Sequence, residues 1–381
     1  MRKVLIMGAL LSVWLVSVAS TPVVTGAKVR INAKKYKEAI EVLEQNKAKY
    51  PDDPELFFYL AQAYVGVAQW VKAGENFTLA LEKNPKKKLK KKIEKLRERS
   101  WASFVKDGLT LFQHERWPEA IAKYRMAIKI DPSEKRSYSD LGATFLNLAR
   151  ALESADSPNT DSIKICYEDA IESYKKAIEL DPEDDKVIKS LGQTYMRAEK
   201  TDEAVELYED FLDNNPEDLE VQRQLFGIYM SRSENDRALE IYEQWDEMGL
   251  EVGEDISMAD IYNAGSCYYR LFIDLEKKED DASKEQAAES LKNSGECFAQ
   301  VFEDDPTDCE SGMQLYYIYI AQQDWENVVQ AIETMLENDC TRDYATLTNL
   351  AVGYTKLGQS KKAAGIFKEA QEIKKESGDS N

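Results

Sequence analysis

A chain of 381 residues has room for two or three ordinary domains or for one long array of repeats, and 43% hydrophobic with 31% charged residues suits a soluble protein with a core. Only 17 glycines and 10 prolines interrupt it, a composition that favours helix and argues against a turn-rich β sandwich. Seventy acidic against 50 basic side chains give a net charge of −20, which repels phosphate backbones and disfavours nucleic acid as a partner, while a single histidine removes most routes to metal ligation and imidazole catalysis.

The first element in chain order is a targeting segment. Arg2 and Lys3 form a short basic start, an apolar run follows from Val4 to Val18, and small residues stand at Ala19, Ser20, Gly26 and Ala27. This order predicts an export signal over 1–27, cleaved after Ser20 or after Ala27. The competing reading keeps the segment as a membrane anchor, although the run falls just short of the roughly 18–20 residues needed to span. No later stretch reaches membrane length.

A helical leader is expected over about Asn32 to Tyr50, with Tyr36 and Ala39 on its apolar face. Eight helix hairpins follow. Leu60, Ala61, Tyr64, Ala73, Phe77, Ala80 and Pro85 mark the first, and Gly108, Ala120, Tyr124, Ala127 and Pro132 the second. The third opens at Leu141-Gly142 and Phe145 and closes at Ala170, Tyr174 and Ala177. The fourth is the clearest, with Leu191-Gly192, Tyr195, Ala204, Tyr208 and Pro216, and Pro182 precedes Pro216 by 34 residues. The fifth carries Leu225, Tyr229, Ala238 and Tyr242, with Leu250 where a proline belongs. The sixth (Ala264-Gly265, Tyr268, Ser294, Phe298) and the seventh (Leu315, Tyr319, Val328, Ile332) are weaker, and the pattern recovers at Leu350-Ala351, Tyr354, Ala363, Phe367 and Ala370. Small residues let two helices approach closely, aromatic residues fill the space between hairpins, and proline ends the second helix.

These offsets, repeated in several copies, resemble the tetratricopeptide-repeat family. The resemblance implies an all-α solenoid of about eight hairpins in a right-handed superhelix over 28–373, with a polar tail at 374–381. Two hydrophilic insertions, at about 150–165 and 275–290, are expected to lengthen the third and sixth hairpins by about two turns per helix. A further insertion, 86–100, lies between the first and second hairpins.

In such a fold the first helix of each hairpin lines an inner groove. The inward positions are Phe58, Val65, Leu109, Phe112, Met196, Met230, Tyr262, Tyr269, Met313, Tyr317 and Ile320, an apolar, Met-containing and aromatic set suited to a peptide or helix. The alternative is that neighbouring hairpins bury some of them as core. The family's carboxylate clamp is not indicated: Lys189 is present, but Gln193 and Gln224 replace the asparagines, and Phe58 replaces a lysine.

The insertion at Lys86–Arg99 holds nine basic side chains, among them Lys86, Lys87, Lys88, Lys90, Lys91 and Lys92, against Glu94 and Glu98. Leu89, Ile93 and Leu96 at helical spacing predict an extension of the helix that carries Trp101 and Phe104. Its lysines are candidates for contact with an anionic lipid or protein surface, or are simply solvated. Five cysteines admit the pairs Cys309–Cys340 and Cys267–Cys297 across hairpins, with Cys166 left over, or buried thiols throughout. His114, near a turn, is expected to be a surface or capping residue rather than a catalyst, and Asn76-Phe77-Thr78 forms a glycosylation sequon inside a helix. No phosphate loop, serine elbow or zinc spacing is present.

The sequence therefore predicts a non-catalytic scaffold with no cofactor, exported to a bacterial periplasm or envelope, that binds another protein in its groove. The alternative is a membrane-associated organiser, tethered by an uncleaved N-terminus or by the basic helix.

Overall fold

The computed structural model describes residues 21–248, 255–340 and 342–376. Residues 1–20 of the expected export signal, Leu250 and residues 377–381 of the polar tail lie outside them. Eighteen helices are found among the described residues, arranged as consecutive antiparallel pairs in an all-α solenoid. The pairs are α1 (Pro22–Asn32) with α2 (Tyr36–Asn46), α3 (Pro54–Gly66) with α4 (Trp70–Glu82), and α5 (Lys87–Gln113) with α6 (Trp117–Ile130). Next come α7 (Lys135–Glu153) with α8 (Thr160–Leu180), α9 (Asp185–Arg197) with α10 (Thr201–Asn214), and α11 (Leu219–Ser231) with α12 (Asn235–Glu247). Last are α13 (Met258–Glu276) with α14 (Asp281–Asp304), α15 (Cys309–Gln322) with α16 (Trp325–Glu337), and α17 (Tyr344–Lys356) with α18 (Ser360–Glu376). Two compact units divide the chain between Leu207 and Tyr208, inside α10.

Local chemistry explains where helices start and how they turn. Asp53, Asn159, Asp184, Asp218, Asp280, Asp308, Asp324 and Asp343 each accept a backbone N–H of the first turn through the side chain, satisfying donors that a helix start leaves orphaned. Seven hairpins share one turn, in which a left-handed residue follows the first helix: Lys34, Ala68, Glu115, Glu199, Ser233, Gln323 and Gly358. The next N–H in each then bonds a carbonyl five residues back, as Lys35 N–H does to Arg30 at 2.8 Å and Gln69 N–H to Tyr64 at 2.9 Å.

The α1–α2 pair corrects the expected unpaired leader. Ala27 and Ala39 are both fully buried and twelve residues apart, the separation that also joins Ala61 to Ala73 and Ala351 to Ala363. Nine hairpins, not eight, are therefore present among the described residues. The lengthened hairpins also differ from expectation in one helix. Helices α7, α8 and α13 have 19, 21 and 19 residues, but α14 has 24 against 13 or 14 in a regular second helix such as α12 or α10. That excess is about three turns, not two.

Within the first unit, α1 to α4 bury Val24, Ala27, Ile31, Leu43, Leu56, Leu60 and Phe77 together with Ile93 of α5. Within the second, Phe298, Tyr316, Ile318, Val328, Ile332 and Leu350 form a continuous core across α14 to α17. Successive hairpins are joined by a recurring contact. The hydroxyls of Tyr64, Tyr229 and Tyr354 donate to Glu44 (2.7 Å), Glu209 and Glu333 on the preceding second helix. A cation from the tyrosine's own hairpin covers each ring: Lys72 at 5.4 Å, Arg237 at 4.2 Å and Lys362 at 4.7 Å. Where Arg125 and Lys175 stand in place of the glutamate, they lie over the rings of Phe145 and Tyr195 instead, at 5.4 and 5.6 Å.

Candidate protein-docking face

The inward set divides between the units, and its members differ in exposure. Phe58 is only 6% exposed and its ring meets that of Tyr59 at a tilt, 5.0 Å between centroids, so it belongs to the core and not to a binding surface. This corrects the sequence reading: Phe58 sits one residue before the half-buried Tyr59, and the core formed by α1 to α4 closes over it. Val65 is half-buried against the same core. Leu109 is exposed, Phe112 packs edge-on against Trp117 at 5.0 Å, and Met196 is half-buried. In the second unit Met230 is half-buried.

The remaining five residues fall on two neighbouring first helices. On α15, Met313, Tyr317 and Ile320 follow helical spacing; Tyr317 is 42% exposed and Met313 37%, while Ile320 leans on the core. Its sequence neighbour Tyr316 is fully buried, and the Tyr316 ring meets that of Tyr317 at a tilt, with centroids 4.4 Å apart. On α13, Tyr262 and Tyr269 are seven residues apart and half-buried. The Tyr262 ring meets Phe298 edge-on at 5.3 Å, and its hydroxyl donates to Glu310 of α15 at 2.8 Å, bridging the two helices. Burial first, then that bond, pushes the Tyr262 hydroxyl up to about 12.

Ile273, 40% exposed, extends the α13 stripe and was not among the inward positions read from the sequence. Its signal was the spacing of four from Tyr269, obscured because it lies in the lengthened part of α13. Charge separates as well. The unit from Tyr208 onward carries 39 acidic and 15 basic side chains, a net −24, against 31 and 35 in the unit before it.

The other sequence candidates resolve individually. Lys86, Lys87, Lys88, Lys90, Lys91 and Lys92 are all exposed at the start of α5, whose apolar residues are spoken for: Ile93 is buried, and Leu89 and Leu96 lie on the core. Arg97 pairs with the nearly buried Asp131 at 2.8 Å. Cys309 and Cys340 are joined by a disulfide, with Cα atoms 5.5 Å apart. Cys267 and Cys297 are not joined, correcting that candidate pair; both are buried thiols that desolvation pushes up to about 11, as Cys166 is also buried and free. Cys297 packs instead over Gly265, where an added Cβ would come within 3.0 Å of its own. His114 is exposed and caps α5 through its backbone. Asn76 of the sequon is 3% exposed and donates to the Lys72 carbonyl at 2.8 Å, so the fold closes that amide to modification. Among the described residues no group of three His, Cys, Asp or Glu is placed to hold a metal, and no helix is long and apolar enough to cross a membrane.

A helical-repeat protein is what this arrangement defines, and two family models agree. A TPR repeat model matches residues 108–148 and 167–198, and a tetratricopeptide repeat model matches 190–249. Those segments run from α5 to α12. No curated protein matches the chain in sequence. Among solved structures, a tetratricopeptide repeat protein from Parabacteroides merdae is 13% identical, with 79% of this chain and 98% of that chain covered and a TM-score of 0.35. Human IFIT1, solved as a dimer with m7Gppp-AAAA, is 13% identical over 93% of this chain and 91% of its own, with a TM-score of 0.31. YrrB, a TPR protein with an unusual peptide-binding site, is 14% identical over 54% and 91%, with a TM-score of 0.27. Identities this low bear on the helical-repeat fold alone, and superpositions this loose transfer no site.

Proposed function

We propose that this protein is a non-catalytic scaffold, exported to the cell envelope, that holds a segment of another protein against the first helices of its second unit. The observation that carries the reading is the pair of stripes Tyr262, Tyr269 and Ile273 on α13 and Met313, Tyr317 and Ile320 on α15, bridged by Tyr262 and Glu310. Rigid aromatic rings and an adaptable methionine offer a partner large contact area at little entropic cost. The net −24 of the unit that carries them favours a basic partner, whose lysine or arginine side chains suit both carboxylates and tyrosine faces. Export is supported by the N-terminal pattern of Arg2 to Ala27 and by a disulfide between Cys309 and Cys340, a bond that persists in oxidising compartments.

Photo-crosslinking in the native cell tests the docking face. A crosslinker in place of Tyr317 should capture one basic protein that a crosslinker at Lys368, whose side chain is 81% exposed on α18, does not. Equal capture from both positions, or none from Tyr317, removes the docking face.

One observation favours a second reading. The six exposed lysines of Lys86 to Lys92 present a dense positive ridge suited to an anionic lipid or protein surface. Sedimentation with vesicles of mixed neutral and anionic lipid, compared between the native chain and one with these lysines changed to glutamine, distinguishes this reading by a loss of binding.

A further inference from the structure

Two bonds near the N-terminus follow short side chains at the places a signal peptidase reads. Ser20–Thr21 follows Val18-Ala19-Ser20, and Ala27–Lys28 follows Thr25-Gly26-Ala27. Sequence pattern alone admits both. The fold separates them, because cutting the two bonds has opposite consequences for α1.

Thr21 is the N-cap of α1. Its hydroxyl accepts the Val24 N–H at 3.3 Å and its carbonyl accepts the Thr25 N–H at 3.0 Å. Pro22 occupies the first helical position, where a missing N–H costs nothing. Val24, Ala27 and Ile31 form the buried face of the helix, and all three join the core that holds Ala39, Leu43, Leu56 and Leu60. The turn from α1 to α2 is the one shared by the regular hairpins, with Lys34 left-handed and the Lys35 N–H bonded to the Arg30 carbonyl. Helix α1 is therefore the first helix of a complete hairpin.

Cleavage after Ala27 would remove the cap, Val24 and the fully buried Ala27. Residues 28–32 would remain, too few for a helix, and the faces of Ala39 and Leu43 would lose their cover. Cleavage after Ser20 leaves every described contact of α1 in place, its Thr21 cap included. We infer that an export signal peptidase hydrolyses the Ser20–Thr21 bond, leaving Thr21 as the mature N-terminus and α1 intact. One water is consumed, and the products are the Ser20 carboxylate and the Thr21 amine. This inference rests on the export reading proposed above.

Intact mass and N-terminal sequencing of the full chain, expressed from Met1 in an exporting bacterium and recovered from the periplasm, test it. A product beginning at Thr21 is expected. A product beginning at Lys28, or at any other residue within α1, overturns the site while leaving export standing. A periplasmic chain still beginning at Met1 overturns the site while leaving export standing, and a full-length chain found only in the cytosol overturns the export reading as well. Two variants are read in denatured extracts, so that folding does not enter. Ser20→Leu should lose processing and accumulate the precursor, and Ala27→Leu should be processed as the native chain is. The reverse pattern overturns the inference.

Discussion

On the face of α4 that meets α6, Gly74 leaves no room for a methyl group. A Cβ there would stand 1.8 Å from the Lys129 carbonyl oxygen at the end of α6. Because the obstacle is backbone, relief requires the two helices to part. Gly74→Ala should therefore destabilise the chain by about 1–3 kcal/mol, read as a lower urea midpoint; an unchanged midpoint would show that α4 and α6 do not meet this closely. Tyrosine hydroxyls respond to pH in a definite direction. Burial, then the bond to Glu333, pushes the Tyr354 hydroxyl up to about 12, and burial with a bond to Glu153 does the same for Tyr167. These groups ionise in the unfolded chain near pH 10 and in the folded chain only near 12. Their contribution is fully present below pH 10 and is lost as pH rises through that window. Thermal unfolding between pH 9 and 12 should show a falling midpoint, with a shallower fall in Tyr354→Phe; equal slopes would discard the assignment. At this scale the sequence identified the aromatic positions, but Phe58 shows its limit. Whether an inward ring is covered depends on a neighbouring hairpin many residues away.

Among the elements, the shared hairpin turn is the most regular feature. Six of its seven left-handed residues carry a side chain, which costs about 1–2 kcal/mol relative to glycine in that conformation. Glycine returns part of that gain through the entropy of the unfolded chain. Glu199→Gly should thus stabilise by roughly 0.5 kcal/mol, detectable as a raised melting temperature; destabilisation would mean that Glu199 is not left-handed. The disulfide makes a larger prediction. Cys309 and Cys340 close a separation of 31 residues around α15 and α16, worth about 3–4 kcal/mol in the chain-entropy model. Cys340→Ser, or reduction of the native chain, should lower the unfolding midpoint of the second unit accordingly, whereas the two treatments combined should add nothing further. Helix α1 was the element missed. Its Ala27 to Ala39 spacing is legible in the sequence, but Ala27 also reads as the last residue of an export signal, and local pattern gives no means of choosing.

Across the molecule, charge is the property that composition averages away. The net −20 conceals a unit near neutrality and one at −24. Like charges at that density repel, and added salt screens them. The melting temperature of the second unit's transition should rise between about 10 and 200 mM salt, over which the screening length shortens severalfold. A fall would indicate that attractive pairs such as Arg342–Glu369, not repulsion, dominate its electrostatics.

Helix content, hairpin order, the positions of the two lengthened hairpins and the extension that becomes the start of α5 were determined by the sequence alone. Each depends on side chains within one or two turns of each other, through apolar periodicity, capping residues and proline stops. Only the tertiary structure decided that α1 completes a ninth hairpin, that Phe58 is core while Tyr317 is exposed, that Cys297 packs on Gly265 instead of bonding Cys267, and that Asn76 is closed. In each case the outcome is set by which surface a distant helix covers. Burial is a property of the packed neighbour as much as of the residue itself, so no local spacing can encode it.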